Sequence, residues 1–434
     1  MTVSYETLSD HLSTGDVKSL KVKQSVMYRG ISRGKTMEIL PLAPDKFKYT
    51  GEKYEANMEF GSPNKFRGAG LAGVTYPDPG KPKNEKPYFT MQRFINADGF
   101  DWPLMVLGEG EGSYYGNGDK NTKKRVMNRL MSATRRSVDK HLWTKRHGSL
   151  GRISSKSTNT LTISETAIEL FTDTLEHTLA VWNGDVFVNN ITVAAVDPTN
   201  NTITATSAGD ADATHDIFPV GSKNGATVYG CNTIPEIVDK NTWKAAVTGL
   251  TYSATTHLNQ WAAGVKSSQG ALNSWIIASM IGDRTRLELG EEVKSYKLCM
   301  GKEMPVVMAK LRADKADHKP GDTKGYGYED TKEITVSGVK VEPWVHKYVP
   351  KGEIYGLAMM KDGGDVPPAI FRAHPKGYNA VRFHTEGKNG GDPFYRVGKT
   401  DEIRCDLNFF MALETFCRWP NFRITDIDYV AFGS

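Results

Sequence analysis

The chain has 434 residues, 39% of them hydrophobic, with a mean hydropathy of -0.45 and a formal net charge of +5. That is enough apolar material for a large buried core and two or three domains. No run of eighteen apolar residues occurs, and Met1 to Leu20 is polar and mixed in charge, so neither a membrane-spanning helix nor a secretory signal is expected.

Residues 1–34 show weak periodicity and read as an N-terminal arm with room for one short helix. KTMEILPL, Lys35 to Leu42, reads as a strand. The stretch Lys48 to Tyr88 is punctuated by Gly61, Gly68, Gly70, Gly73, Gly80, Pro63, Pro77, Pro79, Pro82 and Pro87, which argues against core structure. Its flanks, KFKYTGEKYEANMEF and KPYFTMQRFINADGF, are rich in Tyr and Phe and are expected to pair as the arms of a long hairpin. A disordered insert is the competing reading. Gly108 to Gly118 reads as a hinge-like turn. A helix of about 28 residues, some 40 Å long, should follow and end at Gly148. Asp119 or Asn121 would cap it, and Val126, Leu130, Thr134, Val138 and Leu142 would form its apolar stripe.

Residues 150–229 change character. TNTLTIS, GDVFVNNITVAAV and NTITATS alternate, and DPTNN and AGDAD separate them, as in a small all-β unit. Farther on, Ala271 to Met280 and Glu288 to Leu298 read as helices, and MPVVMAKL reads as an apolar strand or helix. ITVSGVKVEPWV reads as strands around a turn at Gly338, and Phe394 to Ile427 alternates like an antiparallel sheet.

Charge is unevenly spread. Lys120 to His147 holds ten basic residues against Asp139 alone, a net +9. Leu150 to Tyr229 holds three basic and nine acidic residues, a net -6. Neighbouring regions of opposite sign are expected to face different surroundings.

Catalytic patterns are missing. There is no H-E-x-x-H, G-x-S-x-G, G-x-x-x-x-G-K-[ST] or zinc-type Cys/His spacing. Cys231, Cys299, Cys405 and Cys417 stand singly and read as small buried residues; a late intersubunit disulfide or a metal site is the minority reading. His141 and His147 read as solvated or packing residues. Asp317, His318, Asp322, Glu329 and Asp330 read as a solvated loop and not a cation site, and Asp362 and Asp365 as turn residues. No catalytic, metal or cofactor residue is assigned.

Four stretches carry a resemblance. VKQSVMYRGISRGKTMEILPL resembles the segment before the extended loop of tailed-phage major capsid proteins. NRLMSATRRSVDKHLW resembles their spine helix, and SGVKVEPWVHKYVPKGEIYGL resembles a passage of their axial domain. FYRVGKTDEIRCDLNFFMALETFCRWP resembles their returning peripheral strands. The order of these stretches, over nearly the whole chain, is similar to the Hong Kong phage, or Johnson, fold.

The resemblance implies an α+β class and a division into an arm (1–34), an extended loop with flanking strands (35–118) and a spine helix (119–149). An inserted β subdomain (150–229), an axial domain (230–380) and returning peripheral strands (381–434) would follow. It implies a non-enzymatic shell subunit that forms hexamers and pentamers around double-stranded DNA. Such a subunit is assembled in the host cytoplasm, resides in the virion capsid, and has a portal and scaffolding or decoration proteins as partners, with no membrane involved. Lys120, Lys123, Lys124, Arg125, Arg129, Arg135, Arg136 and Lys140 would face DNA. Tyr54, Phe60, Phe66 and Tyr76 would make loop contacts with neighbouring subunits. Lysine–asparagine crosslinking through Lys65, Lys81, Lys83 or Lys86 would need a partner that the sequence does not identify. An encapsulin-type compartment, a cytosolic enzyme with a β-rich accessory domain and an adhesin or tail-fibre module remain rival readings.

Overall fold

In the computed structural model, residues 35–42, 53–55, 58–60, 83–85, 88–101, 119–145, 148–171, 177–239, 262–285, 293–302, 334–336, 338–361, 369–373, 381–383, 393–396, 402–415 and 418–428 are described. The class is α+β.

The first described element is a helix, α1 (Lys35–Ile39), where a strand is expected from the sequence. The reason is packing. Thr36, Met37, Ile39 and Leu40 are buried and only Glu38 is exposed, a pattern that a helical turn satisfies and strict alternation does not. Strands β1 (Lys53–Glu55), β2 (Met58–Phe60), β3 (Lys83–Glu85) and β4 (Tyr88–Thr90) form a two-stranded ribbon. In it β1 pairs with β4 and β2 with β3, both antiparallel, with Tyr54 opposite Phe89 and Phe60 opposite Lys83.

The ribbon leads into β5 (Gln92–Asp101), followed by α2 (Asp119–Leu142). At 24 residues α2 is about 36 Å long. Its stripe is buried as expected: Val126, Leu130, Thr134, Val138 and Leu142 are all 5% exposed or less. The helix stops six residues short of Gly148 because Trp143 turns inward, wholly buried. Gly148 follows at φ +86°, a conformation that suits glycine.

Six strands then close a barrel: β6 (Gly151–Ser157), β7 (Thr160–Ser164), β8 (Thr178–Asn183), β9 (Val186–Asp197), β10 (Thr202–Ala205) and β11 (Asp216–Pro219). Their order around the barrel is β10-β7-β6-β11-β8-β9, antiparallel throughout. A barrel this narrow is filled by side chains; Ile153, Leu161, Val181, Val193, Ile203 and Ile217 are buried to 1% exposure or less. The DPTNN turn is held by Asp197, whose carboxylate accepts the backbone N–H groups of Thr199 and Asn200. With the Asn200 side-chain amide first among its donors, that carboxylate titrates below the usual range. A short hairpin, β12 (Lys223–Asn224) and β13 (Thr227–Val228), precedes the one-turn helix α3 (Ile234–Ile237).

Farther along come β14 (Gly264–Gly270), α4 (Ser274–Thr285) and β15 (Val293–Met300). The expected helix over Glu288 to Leu298 is contradicted: its described part is the start of β15. That strand is interior, parallel to β17 (Val339–Val345) and antiparallel to β18 (Ile354–Met360). Cross-strand pairing overrides the helix preference of its Glu, Lys and Leu residues. With β16 (Ile334–Val336) and β23 (Phe422–Ile427) the sheet order is β14-β23-β18-β15-β17-β16. Gly338, φ +81°, makes the expected turn between β16 and β17.

A second sheet is built on β22 (Glu402–Glu414), which pairs with β5, β19 (Phe371–Ala373), β20 (Val381–Phe383) and β21 (Phe394–Arg396). Alternate residues of β22, Ile403, Cys405, Leu407, Phe409, Met411 and Leu413, join α2 and the barrel in one continuous core. Leu272, Ile277, Met280 and Ile281, at and before α4, form a second core with the six-stranded sheet. The arm, the hinge, Lys48 to Phe66 outside the ribbon strands, MPVVMAKL and the 317–330 acidic loop lie outside the described residues, as do Asp362, Asp365 and Cys417.

Candidate functional site

The charged helix packs on a ten-residue pairing. Residues Gln92 to Asp101 of β5 run antiparallel to Glu402 to Met411 of β22, and α2 lies along them. Thr134, the polar member of the apolar stripe, has its hydroxyl bonded to Leu130 O at 2.8 Å and accepts the Asn96 amide at 3.1 Å. Burial of that hydroxyl therefore leaves no unmet bond.

The basic positions separate. Lys120, Lys123, Lys124 and Arg125 occupy the first turns of α2. Arg129 makes a two-pronged bond to Asp98, Nε to Oδ2 at 2.6 Å and Nη2 to Oδ1 at 2.5 Å, with the guanidinium half exposed. Arg135 is half-buried and Arg136 exposed. Lys140 departs from the solvated face expected for the set: it is 7% exposed, with Nζ 5.9 Å from the centroid of Tyr348. The cause is the last helical turn, which docks against the loop after β17 and does not lie in solvent. His141 is a packing residue: its Nε2 lies 2.7 Å from Cys231 O and its ring meets Phe94 edge-on.

Where α2 ends, α1, the end of α2 and the six-stranded sheet meet in an aromatic junction. Trp143 donates its indole N–H to the Thr36 hydroxyl at 2.9 Å. It stacks on Trp344 at 6.2 Å and meets Tyr355 edge-on at 5.5 Å. His346 stacks on Trp344, and its Nε2 lies 3.9 Å from the Asp139 carboxylate. Beside them Lys145 Nζ bonds Glu353 at 2.5 Å, and the Tyr355 hydroxyl donates to the other Glu353 oxygen. Burial, with the Glu353 charge beside it, raises the Tyr355 hydroxyl well above its ordinary pKa, so it stays a donor. No motif announces this junction. Its aromatics come from two separate stretches, 143 and 344–355, and the one signal in the sequence is the density of WVHKY.

Burial raises the thiols of Cys231 and Cys299 far above the ordinary cysteine range, and Cys405 is fully buried. In the folded chain these thiols are expected to resist maleimide at pH 8 and to label fully in denaturant. Rapid labelling of Cys231 or Cys299 in the folded chain, read by peptide mass spectrometry, would contradict their placement.

Of the expected loop contacts, Tyr54 and Phe60 occupy ribbon strands, and Phe66 and Tyr76 lie outside the described residues. Among the described residues, β1 to β4 pair only with one another, in two-stranded sheets. No helix among the described residues is long and apolar enough to cross a membrane.

No protein-family model and no curated protein matches this chain. Solved structures do. The capsid of a native GTA particle is 7% identical over 91% of this chain and 90% of its own, with a TM-score of 0.47. The capsid of cyanophage A-1(L) is 10% identical over 91% and 93%, with a TM-score of 0.46. The SrpI encapsulin of Synechococcus elongatus is 8% identical over 94% and 91%, with a TM-score of 0.43.

Proposed function

We propose that this chain is the shell subunit of a tailed-phage capsid of the Hong Kong phage type. In this reading it assembles as hexamers and pentamers around double-stranded DNA, in the host cytoplasm, with a portal and a separate scaffolding partner. It is a structural protein and not an enzyme. The observation that supports this most is the ribbon of β1 to β4, paired only with itself among the described residues. A two-stranded ribbon is marginal alone in water and needs a surface to lie on. A neighbouring subunit supplies such a surface at every lattice position, and a closed symmetric shell adds many moderate contacts of this kind.

The exposed Arg136 and the positions Lys120, Lys123, Lys124 and Arg125 are the basic residues of α2 assigned to the enclosed polyanion in this reading. Each Lys or Arg near a phosphate releases a counterion and adds sequence-independent affinity.

The test is assembly of the full-length chain, alone and with a scaffolding partner, followed by sedimentation and negative-stain imaging. Shells, rings or sheets of hexamers and pentamers are expected. A monomer that persists under all conditions would overturn the reading. Nucleic acid inside particles recovered from infected cells supports the phage reading, and a packaged enzyme instead supports the encapsulin-type compartment.

A further inference from the structure

Eight large hydrophobic side chains are exposed among the described residues, and four of them, Val186, Phe187, Val220 and Tyr229, lie on the barrel and its attached hairpin. They are 68%, 48%, 57% and 50% exposed. The arrangement around them is ordered. On the outer face of β8 and β11, Ala180, Trp182 and Phe218 form a small cluster against which Val228 packs. Lys223 lies over this cluster, its Nζ 5.6 Å from the Trp182 ring and 5.3 Å from Phe218, with Asp185 at 3.5 Å. The β12–β13 hairpin is thereby held on the barrel. Phe187 continues the cluster outward, edge-on to Trp182 at 5.5 Å, and Val186 stands beside it at the tip of the β8–β9 hairpin. Val220 and Tyr229 flank the base of the other hairpin, where Tyr229 N–H donates to Ser222 O.

We infer that this apolar flank of the barrel docks onto a second copy of the same chain, on the basic surface outside that copy's barrel. The inference rests on the shell reading and adds to it a named contact.

Two observations select this occupant. The first is charge. The 150–229 segment carries -6 while the whole chain carries +5, so the remainder carries +11. Two barrels repel each other, whereas a barrel against the rest of another copy is electrostatically complementary. Asp185, Asp210, Asp212 and Glu165 are exposed on the barrel, and on or beside the six-stranded sheet and α4 the exposed lysines Lys266, Lys294, Lys302 and Lys361 outnumber the exposed acids Asp283, Asp426 and Asp428. Within one subunit a lysine of that domain already meets the barrel, since Lys351 Nζ donates to Pro198 O at 2.9 Å and to Asn201 at 3.0 Å. The second is size. A patch of this kind offers on the order of 400 Å², below the roughly 1,000 Å² that a stand-alone interface needs. It suits a partner held by other contacts at the same time, which a copy in the same lattice is.

The test uses the full chain. V186S/F187S and V220S/Y229S remove apolar area at opposite rims of the flank, at exposed positions, and both are expected to melt at the wild-type temperature. Each should raise the protein concentration needed for shell formation at least ten-fold. Separately, Phe187→benzoylphenylalanine is irradiated in assembled particles, and the crosslinked peptides are mapped. The expected product joins position 187 to a residue of a second copy outside 150–229. If wild type never assembles, the shell reading falls and this contact falls with it. If wild type assembles and both variants assemble at the same concentration, the contact is overturned while the shell reading stands. Crosslinks to another barrel or to a different protein also overturn it. Should either variant fail to fold, the crosslink decides alone.

Discussion

Replacing Trp143 by alanine is expected to cost the subunit about 3–5 kcal/mol, the range for emptying a fully buried aromatic site. Trp143 has no exposed surface. It touches three parts of the molecule at once: Thr36 of α1, Trp344 of β17 and Tyr355 of β18. The loss has two components. One is the cavity, which the stacked Trp344 and His346 rings are too constrained to fill. The other is the Thr36 hydroxyl, wholly buried and deprived of its donor. Urea unfolding followed by far-ultraviolet circular dichroism measures the change. Trp143→Phe keeps most of the ring volume while losing the hydrogen bond and a smaller part of the packing, so it should recover more than half of the difference. A Trp143→Ala variant within about 1 kcal/mol of wild type would show that the junction does not hold the helix to the sheet.

Replacing Glu353 by alanine is expected to destabilise by a similar amount, about 3–5 kcal/mol, because one member of a buried charged group is removed and the others stay. Glu353 is 7% exposed. It accepts from Lys145 and from the Tyr355 hydroxyl, and its charge also acts on Arg423. Without it, the Lys145 ammonium and the Arg423 guanidinium lose the carboxylate buried between them and keep only the field of Asp426, which acts on both, with Asp239 acting on Arg423. The double change Glu353→Ala with Lys145→Met should recover part of the loss, since it removes one of the two stranded cations. If the double variant is no more stable than Glu353→Ala alone, the Lys145–Glu353 pair is not the source of the effect. Thermal melts of the four chains complete the double-mutant cycle.

Local patterns are legible in the amino-acid sequence by itself. The spacing of Val126, Leu130, Thr134, Val138 and Leu142 marks one face of a helix, and all five are buried. Alternation and turn residues mark β7, β9 and β10, and Gly338 marks a turn that needs a positive φ. The two aromatic flanks of the glycine- and proline-rich stretch pair as ribbon strands. Each of these signals lies in residues close together along the chain, and that is the range over which side-chain periodicity carries information.

What the sequence leaves undetermined involves residues far apart. Lys35 to Leu42 has the look of a strand, yet Thr36 meets an indole 107 positions away and the segment turns as a helix to reach it. Glu288 to Leu298 has helix-forming residues, yet its described part joins the interior of a sheet whose partners begin at Val339 and Ile354. Lys140 sits in a run of basic residues that composition assigns to one solvated face. Only the docking of the last turn of α2 buries this lysine while Arg136, four residues earlier and one turn away, is exposed. The ten-residue match of β5 with β22 joins strands separated by some three hundred residues, as the Arg93–Asn408 bond illustrates. Periodicity reports which face of an element is apolar. Which other element covers that face depends on the free energy of burial summed over the whole chain, and that sum exists only once the chain has folded.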